Sequence, residues 1–384
     1  MENNEIVDGV EIPSTVEPTK LVPETVEQKE VRLRKEKLDL QRQKLSAIAN
    51  VIRKDKGKES VILYGDAVEL GPVEVVSTGI YFLNQALGVG GWPKGRIVEL
   101  FGPEGSSKTS IALSGIAEAQ AADQLCAFID TENAILDTWA SKLGVDLSRL
   151  LISQLNCTED VFDVVSKCID LGVSVIVVDS IAGMCPKKEL EGDYGDYHIG
   201  LNARLIGQAM RKLEEKIRST KSVVIFINQV RENVGVMFGN PETTPGGRAI
   251  KFHSSVRVRV SQTSQLKEEK NVIGIKVRMY VAKNKVSMPF KTVEADFYFD
   301  SGFNNELCIF DSAVANKIIT TRGSGYFVYN GLTKRRAEWR TILEERPDML
   351  KVLVDQLEGT SAIVKIETPS EEDLDDTYTE AEDV

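Results

Sequence analysis

No apolar run in this 384-residue chain approaches the roughly 20 residues needed to cross a bilayer; the longest, such as Val173–Val178, are strand-sized. The start, Met1-Glu2-Asn3-Asn4-Glu5, has neither the basic opening nor the apolar stretch of a secretory signal, so a soluble cytoplasmic protein is expected. Histidine is scarce: His198 and His253 are too few for a histidine metal cluster. The five cysteines (Cys126, Cys157, Cys168, Cys185 and Cys308) are odd in number and have no CxxC spacing. That excludes a disulfide framework or a zinc site and predicts reduced core thiols. No internal repeat is visible.

Bases are missing from both ends. Residues 1–27 carry seven acids and one lysine, and residues 371–384 carry eight acids and no base. The net charge of −11 therefore resides in two acidic tails, and the body is slightly basic, so a nucleic-acid-binding body is allowed. Residues 1–27, with Pro13, Pro18 and Pro23, are expected to be disordered, as is the acidic tail 367–384. Leu33, Leu38, Leu40, Leu45, Ile48 and Ile52 predict an amphipathic helix with a basic face over 28–54, followed by a short strand at Val61–Tyr64. Residues 28–77 then form an N-terminal arm, packed on their own domain or on a neighbouring subunit.

From about residue 78, apolar strands alternate with helices. Strands are expected at Arg96–Phe101, Leu125–Asp130, Leu150–Ser153, Val173–Asp179, Ser222–Asn228, Val256–Val260 and Ile275–Lys283. Helices are expected at Thr109–Ala121, Thr158–Leu171 and Gly200–Ser219. The pattern predicts an α/β core over 78–305, with a largely parallel sheet covered on both faces. A small C-terminal domain is expected over 306–366, with a helical stretch at Ala337–Leu357, ahead of the acidic tail.

The strand at Arg96 runs into a Gly- and Ser-rich turn and then into Lys108-Thr109, which opens a helix. This is the context of a P-loop. Gly102, Pro103, Glu104, Gly105, Ser106, Ser107, Lys108, Thr109 and Ser110 are the candidate phosphate cradle, with backbone N–H groups and a helix N-terminus facing an anion. Lys108 is expected on the β- and γ-phosphates of ATP, and Thr109 on Mg²⁺. The strand Val173–Val178 ends in Asp179, a second Mg²⁺-holding group. Phe128-Ile129-Asp130-Thr131-Glu132 also ends in acids, and Glu132 is the candidate base for the attacking water.

Four longer strings carry a resemblance. They are Gly90–Glu99, Ala203-Arg204 through Gln208–Leu213, Ile225–Gln229, and Gly235–Thr244. Over residues 30 to 360 the chain resembles the bacterial RecA family. The resemblance implies a RecA-type P-loop ATPase core that polymerises on single-stranded DNA and carries out homologous pairing and strand exchange in recombination and repair. Glu132 falls at the family's catalytic glutamate and Gln229 at its γ-phosphate sensor. The loop Val230–Pro245 falls at one DNA-binding loop, and Glu191–Ile199 at the other. Tyr197 and Ile199 would wedge between bases, and Arg204, Arg211, Arg231 and Arg248, with Gly246 and Gly247, would lie along the DNA backbone. Lys283 and Lys285 match residues that reach a neighbour's ATP, acting there as arginine fingers do. Phe252 matches an interface aromatic, Trp139 the adenine-stacking aromatic, and Phe299 an aromatic supplied by the neighbour.

The implied partners are single- and double-stranded DNA, further copies of the chain in a helical filament, and single-strand-binding and loader proteins. No membrane is implied. Departures from the family pattern are Ser107 in place of a glycine, Leu136 in place of an acid, Asn133 in place of a histidine, and Arg248 in place of an asparagine. They favour a divergent copy of the kind a phage carries. Two other readings remain open: an ATP-gated filament protein with little hydrolysis, and a hexameric DNA motor, against which Gly235–Thr244 argues.

Overall fold

The computed structural model describes residues 25–57, 60–61, 63, 72–133, 137–193, 200–232 and 242–359. The chain divides between Pro72 and Val73 into two compact units. In the first, α1 (Val26–Lys56) contains the helix expected at 28–54. Val31, Leu38 and Leu45 recur every seven residues along it and are exposed. Arg53 Nε donates to the Val61 carbonyl at 3.0 Å. The strand expected at Val61–Tyr64 and both expected disordered tails fall largely or wholly outside the described residues.

The second unit runs β1 (Val75–Val76), α2 (Tyr81–Leu87), β2 (Trp92–Pro93), β3 (Arg96–Gly102), α3 (Lys108–Ala121), β4 (Cys126–Asp130), α4 (Asp137–Lys142), β5 (Leu150–Ser153), α5 (Thr158–Asp170), β6 (Val175–Asp179), α6 (Lys187–Glu191), α7 (Leu201–Thr220) and β7 (Val223–Gln229). It continues through β8 (Arg231–Glu232), β9 (Glu242–Thr243), α8 (Arg248–His253), β10 (Val256–Glu268), β11 (Asn271–Asn284), β12 (Thr292–Tyr298) and β13 (Gly302–Phe303). The last part is α9 (Asn305–Ala315), β14 (Thr320–Arg322), β15 (Tyr326–Tyr329), β16 (Leu332–Arg335), α10 (Arg336–Glu345) and α11 (Pro347–Gly359).

The central sheet has nine strands in the order β13-β12-β11-β10-β3-β7-β6-β4-β5. From β10 to β5 neighbouring strands are parallel, while β11, β12 and β13 are added antiparallel. Successive side chains of β3 and β7 go to opposite faces. Val98, Leu100, Val223 and Ile225 join a core with Ile111 and Ile116 of α3, whereas Ile97, Val224 and Phe226 join one with Val161 of α5 and Met210 of α7. Both faces are covered, so these strands read as continuous apolar runs. Burying each such side chain is worth about 1.5–3 kcal/mol.

Two expectations need correction. β10 and β11 run well past the predicted Val256–Val260 and Ile275–Lys283, because they pair with each other from Val256↔Asn284 out to Glu268↔Asn271. Backbone pairing sustains that ribbon, so its polar Ser261–Gln265 stretch shows no apolar alternation. The single helix expected over Ala337–Leu357 is two helices, broken before Pro347, whose ring cannot supply the amide an unbroken helix needs.

The last helices and the β14–β16 hairpins have their own core, centred on Phe310, Trp339 and Leu353. Arg336 ties them to the central sheet: its Nη2 bonds Asp311 at 2.6 Å and Asp296 of β12 at 3.2 Å. All five cysteines are free thiols, and among the described residues no helix is long and apolar enough to cross a membrane.

Candidate functional site

Parallel strands bring their C-terminal ends to one edge of the sheet. In register, Gly102 at the end of β3 sits opposite Gln229 of β7, and Asp130 of β4 sits opposite Asp179 of β6. A cleft of about 410 Å³ opens there, between the 104–110 turn, Glu132, Trp139, Asp179, Gln229 and Phe299.

The turn's shape follows from its residues. A side chain at Gly102 would collide with the Val260 backbone of β10, so only glycine fits. Gly105 and Ser107 both take φ 69°, the left-handed region, and such residues curl a turn into a concave nest of N–H groups. Glycine does this freely, whereas Ser107 does it against the steric preference of an L-residue. Lys108 Nζ donates to the Pro103 carbonyl at 2.6 Å and the Gly102 carbonyl at 3.0 Å. Burial lowers its pKa from the ordinary lysine value, opposed by the carboxylates of Asp179, Glu132 and Glu104.

The Thr109 hydroxyl donates to Asp179 Oδ2 at 2.6 Å. Burial pushes the Asp179 carboxyl up to about 6, and the negative charges of Glu132 and Asp130 add to that shift. A hydroxyl and a carboxylate in contact, inside a cluster of acids, suit a hard cation such as Mg²⁺. Such a site takes few protein oxygens and completes its shell with water and substrate phosphate.

Glu132 is oriented from two sides: its Oε1 accepts a hydrogen bond from Ser180 Oγ and another from Gln229 Nε2, the latter at 3.3 Å. Thr131 in turn holds Ser180, donating to its carbonyl at 2.7 Å and accepting from its amide at 2.8 Å. An aromatic wall closes one side. Trp139 Nε1 donates to Ser110 Oγ at 3.1 Å, and its ring meets Phe297 edge-on at 5.8 Å. Phe299 packs on Phe297 and is half exposed. Phe299 lines the cleft.

The other expected site residues fall elsewhere. Lys283 Nζ donates to the carbonyls of Lys251 and Phe252 at 2.7 and 3.2 Å, capping the end of α8. Lys285 and Phe252 are exposed, and none of the three lines the cleft. Arg204 and Arg211 are seven residues apart on one face of α7. Gly247 comes up against Ala203, where an added Cβ would lie 3.0 Å away, so the start of α8 with Arg248 lies beside the first turn of α7 with Arg204. Arg231 pairs with Thr243 through its backbone. Tyr197, Ile199, Leu136 and residues 233–241 lie outside the described residues.

Sequence reasoning missed Ser180, Thr131 and Phe297, which act by holding named residues. It also missed a buried network behind the cleft. Arg257 Nε donates to Glu99 Oε2 at 2.6 Å, and Asn228 Nδ2 donates to Glu99 Oε1 at 3.0 Å. A glutamate inside an apolar strand was the available signal, since a buried carboxylate needs a partner.

The family profile of the RecA N-terminal domain matches residues 43–304. A protein RecA of Halalkalibacterium halodurans is 43% identical over 85% of this chain and 94% of its own length. That of Lactobacillus delbrueckii subsp. bulgaricus is 44% identical over 82% of this chain and 95% of its own length. That of Corynebacterium glutamicum is 42% identical over 86% and 89% respectively. On this likeness the chain belongs to the bacterial RecA family of ATP-dependent DNA recombinases.

Proposed function

We propose a division of labour among these residues, in a protein whose family makes it a DNA-dependent ATPase that forms filaments on DNA and serves recombination and repair. The observation that carries it is the meeting, in one cleft, of a phosphate-binding turn, the Thr109–Asp179 pair and the Glu132–Gln229 pair. The reaction is ATP + H₂O → ADP + Pi. Residues 102–110 cradle the triphosphate, and Lys108 exchanges its loop carbonyls for phosphate oxygens. Trp139 and Phe299 offer faces to the adenine. Thr109 and Asp179 hold Mg²⁺, which when bound neutralises charge on the phosphate oxygens.

Glu132, aimed by Ser180 and Gln229, takes the proton of the attacking water. Gln229 shares its amide between Glu132 and the terminal phosphate. Its position then depends on whether that phosphate is present, and the 230–245 loop that follows it meets DNA accordingly. Arg204, Arg211, Arg231, Arg248, Gly246 and Gly247 serve the DNA backbone, while Tyr197 and Ile199 of the 191–199 loop wedge between bases. Lys283 and Lys285 act on the ATP of the adjoining subunit, beside Phe252.

Residues 28–77 form the oligomerisation arm, 78–305 the core and 306–366 the small C-terminal domain, with acidic segments at 1–27 and 367–384. The setting is the cytoplasm, on nucleoid DNA. The test is Glu132→Gln. It is expected to lower DNA-stimulated phosphate release by about 100-fold or more while ATP-dependent assembly on single-stranded DNA persists. Equal release by variant and wild type removes Glu132 from its role.

A further inference from the structure

The last two residues of β7 face opposite ways. Gln229 reaches Glu132 in the nucleotide cleft. Asn228 is fully buried on the other face, and its amide nitrogen makes two bonds, to Glu99 Oε1 and to the Pro245 carbonyl, each at 3.0 Å. Pro245 closes the loop that Val230 begins. One side chain, two residues before the loop, therefore ties the end of β7 to the residue at the loop's return.

The anchor behind this tie is rigid. Glu99 is fully buried in β3, directly opposite Arg257 of β10, and takes its 2.6 Å bond from that guanidinium. The guanidinium lies 4.2 Å from the Phe101 ring centre, so it is fixed by an ion pair and an aromatic face together. The returning chain is fixed as well. A Cβ on Gly246 would lie 3.0 Å from Ile181 and 3.2 Å from Ile206, so Pro245-Gly246 is pressed against the core under α7. Asn228 Oδ1 has no partner among the described residues, so the amide serves here as a donor only.

We infer that Asn228 is a positioning residue: it clamps the return end of the 230–245 loop to the buried Glu99–Arg257 pair and thereby sets how tightly the loop and Arg248 take single-stranded DNA. The inference rests on the reading that this loop meets DNA. Without the clamp, Gly246, Gly247 and Arg248 lose their fixed place beside Arg204, and binding carries the cost of ordering them. The nucleotide cleft lies on the opposite face and keeps its own contacts.

The experiment compares Asn228→Ala, Asn228→Asp and Arg248→Ala with wild type in the full chain. Two quantities are read: the oligo-dT concentration giving half-maximal ATP turnover, and the affinity for a fluorescent ATP analogue without DNA. Both Asn228 variants are expected to raise the half-saturating DNA about tenfold, the equivalent of one buried hydrogen bond lost, while analogue affinity stays within about twofold. Arg248→Ala is expected to raise the half-saturating DNA too. If only Arg248→Ala does so, the clamp is wrong and the loop reading stands. If none does, the loop reading falls and takes the clamp with it. A parallel loss of analogue affinity in the Asn228 variants assigns Asn228 a general structural role and overturns the inference. Should Asn228→Ala fail to fold, Asn228→Ser, which keeps one donor, takes its place. A smaller rise in half-saturating DNA is then expected, and no rise rejects the clamp.

Discussion

Asn228 and Gln229 are neighbours at the end of one strand, yet they stand in two different kinds of polar environment. On the Gln229 side the contacts are long or open to the cleft: Gln229 meets Glu132 at 3.3 Å, and Lys108 is held by main-chain carbonyls. Several acids crowd there, and burial, reinforced by their charge, raises the Asp179 carboxyl. On the Asn228 side the charges are balanced and buried, with Glu99 and Arg257 in contact inside the core. Groups in the first environment can change partners when a substrate arrives. Those in the second can only be kept or broken, because an unpaired buried charge is costly. Movable chemistry and fixed support are thus separated by the thickness of one sheet.

The largest expected effect tests the fixed side. Glu99→Ala strands the Arg257 guanidinium and is expected to lower unfolding free energy by about 3–5 kcal/mol in urea. Gln229→Ala, one residue from the network, is expected to change stability by no more than about 0.5 kcal/mol while abolishing DNA-stimulated turnover. A Glu99→Ala cost below about 1 kcal/mol would erase the contrast. Replacing both partners, in Glu99→Leu with Arg257→Leu, should recover much of the loss, since an apolar pair of similar volume substitutes well for a buried ion pair.

A smaller effect belongs to the acid-rich side. The Asp179 carboxyl is raised from 3.8 to about 6, chiefly by burial. Its folded-state value lies above its unfolded one, so its stabilising contribution is complete below about pH 4, declines as pH rises and is gone above about 6. Asp179→Asn removes that dependence. In nucleotide-free protein it should stabilise by about 2–3 kcal/mol at pH 8 and by almost nothing at pH 4. The same variant should lose Mg²⁺-dependent ATP turnover, and a gain equal at both pH values would contradict the electrostatic cause.

How much of this could be read from the sequence divides along the same line. The cleft was legible because its parts are local. A strand, a Gly- and Ser-rich turn and Lys108-Thr109 are consecutive, and Asp179 and Glu132 end or follow apolar runs. The support was not legible, because Glu99, Asn228 and Arg257 meet only once β10 and β7 have come to flank β3. Nothing within a window around Glu99 names a partner 158 residues away. The β10–β11 ribbon escaped for a related reason: a ladder of backbone bonds leaves no mark in side-chain pattern. Pro347 did mark the break between α10 and α11, and an unbroken reading of Ala337–Leu357 gave its missing amide too little weight.

The mildest test concerns the one strained position in the phosphate turn. Ser107 holds φ 69° and ψ 22°, and its hydroxyl makes no capping bond to α3. Its left-handed backbone therefore costs about 1 kcal/mol with no capping bond to offset it. Ser107→Gly is expected to stabilise the nucleotide-free protein by somewhat less than that, because glycine also gains freedom in the unfolded chain. Ser107→Ala keeps the Cβ that causes the strain and should leave stability within about 0.5 kcal/mol of wild type. The pair separates backbone from hydroxyl: a gain in the alanine variant would mean that the hydroxyl is unfavourable, and a loss in the glycine variant would mean that the turn tolerates serine without strain. ATP affinity should hold or rise in the glycine variant, since the backbone N–H that faces the phosphate is the same in both residues.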